Sequence, residues 1–141
     1  MVTGRESPEA YLARKVQSYR AFREAERIVP PGGKTLLVWE NRGYYWNRPY
    51  GADSFFEASR LAAGAAAAGS PDRWLTDLRR EGYRWALVNR TLQRIFARWS
   101  PPEGIAVMEG TWGRCRREGS WNGLELYRLP EAAPESGRPG P

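Results

Sequence analysis

The chain contains no histidine and a single cysteine, Cys115. Without histidine there is no Ser-His-Asp or Cys-His nucleophile, no imidazole general base and no His-ligated zinc. One cysteine closes neither an internal disulfide nor a CxxC metal knuckle. Any catalysis would rest on carboxylates, Arg, Lys, Tyr or Ser, and the sequence calls for no metal or cofactor. Long apolar runs are missing too: none approaches the roughly eighteen residues that mark a membrane-spanning helix, and Met1 to Pro8 lacks the charged-then-apolar layout of a secretory signal. On those grounds the chain reads as soluble, and as cytoplasmic if it stands free.

What is present suits one domain. A chain of 141 residues buries about two-thirds of its unfolded surface on folding, enough for a single core. Basic residues outnumber acidic ones, 22 against 16, for a net charge of +6. Lys15 and Lys34 are the only lysines, so the excess is arginine. It reads either as attraction for phosphate, nucleic acid or lipid headgroups, which guanidinium grips in a planar, bidentate way, or as the codon bias of a GC-rich genome. The arginines are scattered and form no block of like charge.

Ser7-Pro8-Glu9 has the hydroxyl cap, first-turn proline and acid of a helix start. Leu12, Val16, Tyr19, Phe22 and Val29 then recur at helical spacing up to the Pro30-Pro31-Gly32-Gly33 stop. Thr35-Leu36-Leu37-Val38-Trp39 reads as a strand buried on both faces. Tyr44-Tyr45-Trp46 is β-prone, and Arg48-Pro49-Tyr50-Gly51 reads as a loop. Phe55 to Leu61 suggests a turn or two of helix running into residues 62–69, an Ala/Gly-rich stretch read as a mobile connection. Ser70-Pro71-Asp72 opens a helix over 71–81 that closes at Gly82. Tyr83 to Val88 is a second buried strand. A helix with Leu92, Ile95, Phe96 and Trp99 on one side follows, then a segment from Ile105 to Trp112 that fits helix better than strand. Asn122-Gly123 signals a turn, and Leu124 to Leu129 alternates like a half-buried strand at a sheet edge.

This order predicts an α/β fold: a three-layer sandwich with a small, mostly parallel Rossmann-like sheet and helices on both faces. Residues 1–8 are a lead-in, 9–130 a single domain and 131–141 a disordered tail.

One ordered series of motifs resembles a known family. It comprises Leu37-Val38-Trp39-Glu40-Asn41-Arg42-Gly43-Tyr44-Tyr45, Arg48-Pro49-Tyr50, Asp53, Ser70-Pro71-Asp72, Leu78-Arg79-Arg80-Glu81-Gly82-Tyr83 and Leu87-Val88-Asn89. It is similar to the C-terminal soluble domain of multi-spanning glycosyltransferases that use polyprenyl-phosphate sugars, of the protein mannosyltransferase and arabinose-transferase type. The likeness runs over roughly residues 9–129. It implies an extracytoplasmic, non-catalytic accessory domain whose partner is a membrane-embedded glycosyltransferase core and which helps bind an acceptor glycan or a polyprenyl-phosphate headgroup. The chain has none of the family's membrane helices, and the family's catalytic acids belong to that portion, so the resemblance carries over no catalytic residue.

Ligands of open α/β sheets sit outside the carboxyl ends of parallel strands, where the strand order reverses. If strands 35–39 and 83–88 are neighbours, Glu40, Asn41, Arg42, Asn89 and Arg90 share that edge, with Tyr44, Tyr45, Arg48 and Asp53 close in sequence. Carboxylate, amide and guanidinium groups beside aromatic faces suit a sugar or its phosphate. The same residues have structural uses. Glu40 and Arg42 can pair to fix the strand exit, Asn89 can form an Asx turn, Asp53 can cap the Phe55 segment, and the aromatics can simply pack.

Two further classes stand beside the accessory domain. A small carbohydrate-acting enzyme would need paired carboxylates, and Glu40 with Asp53 is the one pair to nominate. A nucleic-acid-binding module would use arginines beside aromatics, as in Arg84-Trp85 and Arg98-Trp99, and is the weaker reading. Gly32-Gly33-Lys34 precedes a strand and so makes a turn, not a phosphate loop. Cys115 lies among Arg114, Arg116 and Arg117, which would depress its pKa if it were exposed; it reads as an incidental thiol.

Overall fold

A computed structural model describes residues 7–8, 19–40, 46–53 and 59–131. Among them the order is α1 (Tyr19–Glu26), β1 (Thr35–Val38), β2 (Tyr50–Ala52), α2 (Arg60–Ala68), α3 (Pro71–Arg80), β3 (Trp85–Asn89) and α4 (Arg90–Phe96). A 3-10 turn (Ala97–Trp99), α5 (Pro102–Trp112), β4 (Arg116–Trp121) and β5 (Leu124–Arg128) complete it. Helical residues expected before Tyr19, the Phe55 segment over 54–58 and the tail from 132 lie outside the described residues.

The strands form one five-stranded sheet in the order β2-β1-β3-β5-β4. β2-β1-β3 run parallel, but β5 lies antiparallel to β3 and β4 antiparallel to β5. The sheet is therefore mixed, not mostly parallel. A hairpin joins the last two strands, and hairpin partners must oppose each other. Asn122 (φ 50°) and Gly123 (φ 85°) make the turn, the two left-handed residues that a tight hairpin of native twist requires.

Side chains point alternately to the two faces along the strands and sort the core into two layers. Leu36, Val38, Ala86, Val88 and Tyr127 face α2, α3 and α5, whereas Leu37, Trp85, Leu87, Leu124 and Leu126 face α1 with Phe22 and Trp46. Helices thus cover both faces. Trp39 breaks the alternation. At φ 58° it is left-handed, a conformation that costs a bulky residue about 1–3 kcal/mol, and its buried indole joins the same layer as Val38 instead of the opposite one. The strand ends there.

Residues 62–69 are not a mobile connection: they build α2 and its left-handed cap Gly69. Alanine is the best helix former, and Ser59 caps the start by accepting from the Ala62 amide at 3.0 Å. The smallness of the side chains serves packing, since a Cβ on Gly104 of α5 would stand 1.9 Å from the Ala62 carbonyl oxygen. α3 has the expected Ser70 cap, with Pro71 and Asp72 in its first turn.

The second strand is Tyr50–Ala52, which takes in Tyr50 and Gly51 of the stretch read as a loop. Trp46 is a buried loop residue, and Tyr44 and Tyr45 lie outside the described residues. Leu124–Arg128 lies inside the sheet, and the edge beyond it is Arg116–Trp121, a strand of polar residues with no apolar alternation to announce it. The segment 105–112 is helical, as expected. Ile95 and Trp99, placed by their spacing on a buried face, are 46% and 53% exposed.

Candidate functional site

β1 is the pivot of the parallel half. Its chain leaves toward β2, whereas β3 pairs with its other side, so the carboxyl ends of β1 and β3 flank a reversal of strand order. The polar residues following these strands do share a rim. Asn89 Nδ2 donates to Glu40 Oε1 at 2.9 Å, and Asn89 Oδ1 accepts from the Leu92 amide at 2.9 Å. One amide side chain therefore ties β1 to β3 and caps α4. Glu40 is fully buried and Asn89 nearly so.

Asp53, at the carboxyl end of β2, is buried as well. Its Oδ2 accepts from Ser59 Oγ at 2.7 Å and from the Trp39 amide at 3.3 Å, and its Oδ1 accepts from the Leu61 amide at 3.3 Å. Its capping role is thus at the start of α2, and it also holds the left-handed turn at Trp39. Carboxylates satisfied by backbone and hydroxyl donors brace a fold. Neither Glu40 nor Asp53 is open to a substrate in this arrangement.

Arg90 follows Asn89 on the rim but is occupied. Its guanidinium bonds Glu109 Oε2 at 2.5 Å, Glu125 Oε1 at 2.8 Å and Gln93 Oε1 at 2.9 Å. Tyr127 Oη donates to Glu125 Oε1 at 2.6 Å. Burial alone would lower the Arg90 pKa, but these carboxylates and the phenol hold it above its ordinary value. Burial likewise pushes Glu125 up, yet the hydrogen bonds from Tyr127 and Arg90 outweigh it and leave its carboxyl below the usual range. The cluster clamps α4, α5 and β5 together. Sequence reasoning misses Glu109, Gln93, Glu125 and Tyr127. The available signals are the i,i+3 spacing of Arg90 and Gln93 and the common strand face of Glu125 and Tyr127.

Arg48 is not at this rim. It precedes β2, at the opposite end of the parallel strands, where its Nη2 donates to the Glu26 carbonyl at 2.7 Å and its Nε to the Val29 carbonyl at 2.8 Å. It satisfies carbonyls left over at the end of α1. Asn41, Arg42, Tyr44 and Tyr45 lie outside the described residues. Cys115 is half-buried, and burial raises its thiol to about 11, with Arg79 opposing; the exposure on which a depression by neighbouring arginines depended is not met.

Of the nine candidates, Glu40, Asn89, Asp53 and Arg90 gather at the carboxyl ends, each held by contacts within the domain. No protein-family model matches the chain, and neither a curated protein nor a solved structure does.

Proposed function

We propose that the chain is a non-catalytic accessory domain of the kind that polyprenyl-phosphate-sugar glycosyltransferases carry beside their membrane-embedded core, acting at the extracytoplasmic face. The observation that carries this reading is the Glu40–Asn89 bond. The two motif endings of the resembling series, one after each parallel strand, meet at 2.9 Å in a buried link. On this reading the motifs build the domain and perform no chemistry. The parallel order β2-β1-β3 supports describing this half as a reduced Rossmann-like sheet. No helix among the described residues is long and apolar enough to cross a membrane.

Two measurements test the reading. The purified chain and its Glu40→Gln variant are assayed with polyprenyl-phosphate sugars and glycosides, and neither turns them over. In the native host, cross-linking followed by mass spectrometry recovers the chain joined to a multi-spanning glycosyltransferase. Turnover that vanishes in Glu40→Gln, or recovery of the chain free of any membrane protein, would overturn it.

A nucleic-acid partner has one observation in its favour. Thr76, Arg79, Arg80 and Arg84 line an open hollow of about 640 Å³ bordered by Glu131. Arg79 and Arg84 donate there to the backbone carbonyls of Pro130 and Tyr83 at 3.2 and 2.9 Å, which fixes their position without neutralising them. Affinity for single-stranded DNA that falls steeply with salt would favour this partner.

A further inference from the structure

A cleft of about 280 Å³ opens along the β2 edge of the sheet, apart from the Glu40–Asn89 rim. β1 and β2 contribute Leu36 and Gly51, α2 contributes Arg60 and Gly64, α3 contributes Trp74, and Tyr83 stands just before β3. Tyr83 is only 7% exposed, and its ring is held by the Lys34 ammonium, 4.5 Å from the ring centroid and itself bonded to the Glu81 carbonyl at 2.7 Å. The hydroxyl makes no hydrogen bond to any described residue. It lies against bare backbone: a Cβ on Gly51 would stand 1.7 Å from the phenol oxygen. A glycine there admits the phenol to the cleft with its bonding capacity unspent.

The hydroxyl oxygen is not sealed off from the cleft, since the buried polar atoms left without a partner among the described residues are the indole nitrogens of Trp46 and Trp112, and a ligand oxygen can reach it. Burial, and secondarily Glu81, hold the phenol pKa above its ordinary value, so it is a neutral donor at physiological pH. Arg60 and Glu81, both exposed and both lining the cleft, bring opposite charges, make no ion pair among the described residues and select no net charge. Together they offer guanidinium donors and carboxylate acceptors, the pairing that vicinal hydroxyls use. Trp74 and Tyr83, both almost fully buried, add to the lining. The volume falls just below the range of drug-sized pockets, about 300–1,000 Å³, which fits one small ring and not a nucleotide or a peptide.

We propose that this cleft is a carbohydrate site, taking one uncharged sugar ring with the Tyr83 hydroxyl as its hydrogen-bond partner and Arg60 and Glu81 at its mouth. In choosing a glycan over other small polar rings the proposal rests on the accessory-domain reading, and it moves the glycan from the strand-end rim to the β2 edge.

The test is an amide NMR titration of the full, isotope-labelled chain with methyl hexosides and methyl pentosides, and with uracil, glycine and inorganic phosphate for comparison. At least one glycoside shifts the Gly51, Gly64 and Tyr83 amides in a saturable way. Tyr83→Phe, which removes one oxygen, weakens that binding about tenfold. A Cβ on Gly64 meets nothing within 4 Å, so the fold accommodates Gly64→Leu, whose side chain fills the cleft and abolishes binding. The dispersed spectrum of each variant reports its fold. The proposal is overturned if no glycoside moves these amides at tens of millimolar, if uracil, glycine or phosphate binds there instead, or if Tyr83→Phe binds unchanged. None of those results touches membrane-core association, which the cross-linking experiment reads separately.

Discussion

The same substitution, glycine to alanine, should have opposite signs in two helices that pack against each other. In α5 a Cβ on Gly104 would sit 1.9 Å from the Ala62 carbonyl oxygen and 2.8 Å from its carbonyl carbon. Both obstacles are backbone, so no rotamer relieves them, and α2 and α5 must separate by more than about an ångström. Forcing extra volume into a packed contact costs about 1–3 kcal/mol. The gain in helix propensity, up to about 1 kcal/mol for an interior position, is smaller at Gly104 because it lies in the first turn. The net expectation for Gly104→Ala is a loss of about 1–2 kcal/mol, or a drop in Tm of about 4–8 °C for a domain of this size. Gly64, in the middle of α2, has nothing within 4 Å of the position a methyl would take. Gly64→Ala should therefore gain about 0.5–1 kcal/mol and raise Tm by about 2–4 °C. Thermal unfolding by circular dichroism and urea unfolding by tryptophan fluorescence give both values. A Gly104→Ala protein as stable as the parent would refute the close approach, and a destabilised Gly64→Ala would refute the open face of α2.

Three further outcomes follow from the buried polar groups. Asn89→Asp sets a second carboxylate against Glu40. Repulsion raises the folded-state pKa of such a pair, which favours folding only at pH below the unfolded carboxylate value and is lost as pH rises. The variant should be about 3 kcal/mol less stable at pH 7 and recover part of that near pH 5; a loss independent of pH would count against the Glu40 contact. Glu125 is shifted the other way, so its contribution is complete above about pH 4.3, the unfolded value, and disappears as pH falls through its lower folded value. Glu125→Gln should be less stable at neutral pH and lose less on acidification, and urea midpoints at pH 7 and 3 check this. With its thiol at about 11, Cys115 should be alkylated by iodoacetamide at pH 8 about a hundredfold more slowly in the native protein than in urea; equal rates would refute its burial.

Much of this architecture is legible in the sequence because apolar runs and caps are local signals. Thr35 to Val38 and Trp85 to Val88 are buried on both faces and read as unbroken apolar strands, and Ser70-Pro71-Asp72 announces α3. The parallel pairing that joins Glu40 to Asn89 follows from those two strands. What escapes a sequence reading depends on contacts distant in the chain. Tyr50–Ala52 is a strand because β1 offers it hydrogen bonds, despite a glycine and a preceding proline. Arg116–Trp121 pairs on one side only and has a polar pattern at an edge that favours charge. The alanine run misleads because low complexity suggests a lack of packing, when small side chains are what permit contact with Gly104. At the site, residue types and chain ends can be anticipated, but whether a polar group faces a ligand or a neighbour is decided by burial. Asp53, Arg90 and Arg48 all turn inward for that reason. Tyr83 reads only as part of a strand, and nothing in its neighbours foretells a hydroxyl left without a partner among the described residues.

The position of β5 bears on how the protein can be made. β3 is the middle of the sheet, and one of its two partners is the last strand of the described chain. A nascent chain on the ribosome can pair β1, β2 and β3 while the hydrogen-bonding edge of β3 still stands bare, ready to recruit a strand from another molecule. Only when Leu124–Arg128 clears the exit tunnel does that edge close, and a premature stop upstream of Leu124 should yield aggregates instead of a smaller domain.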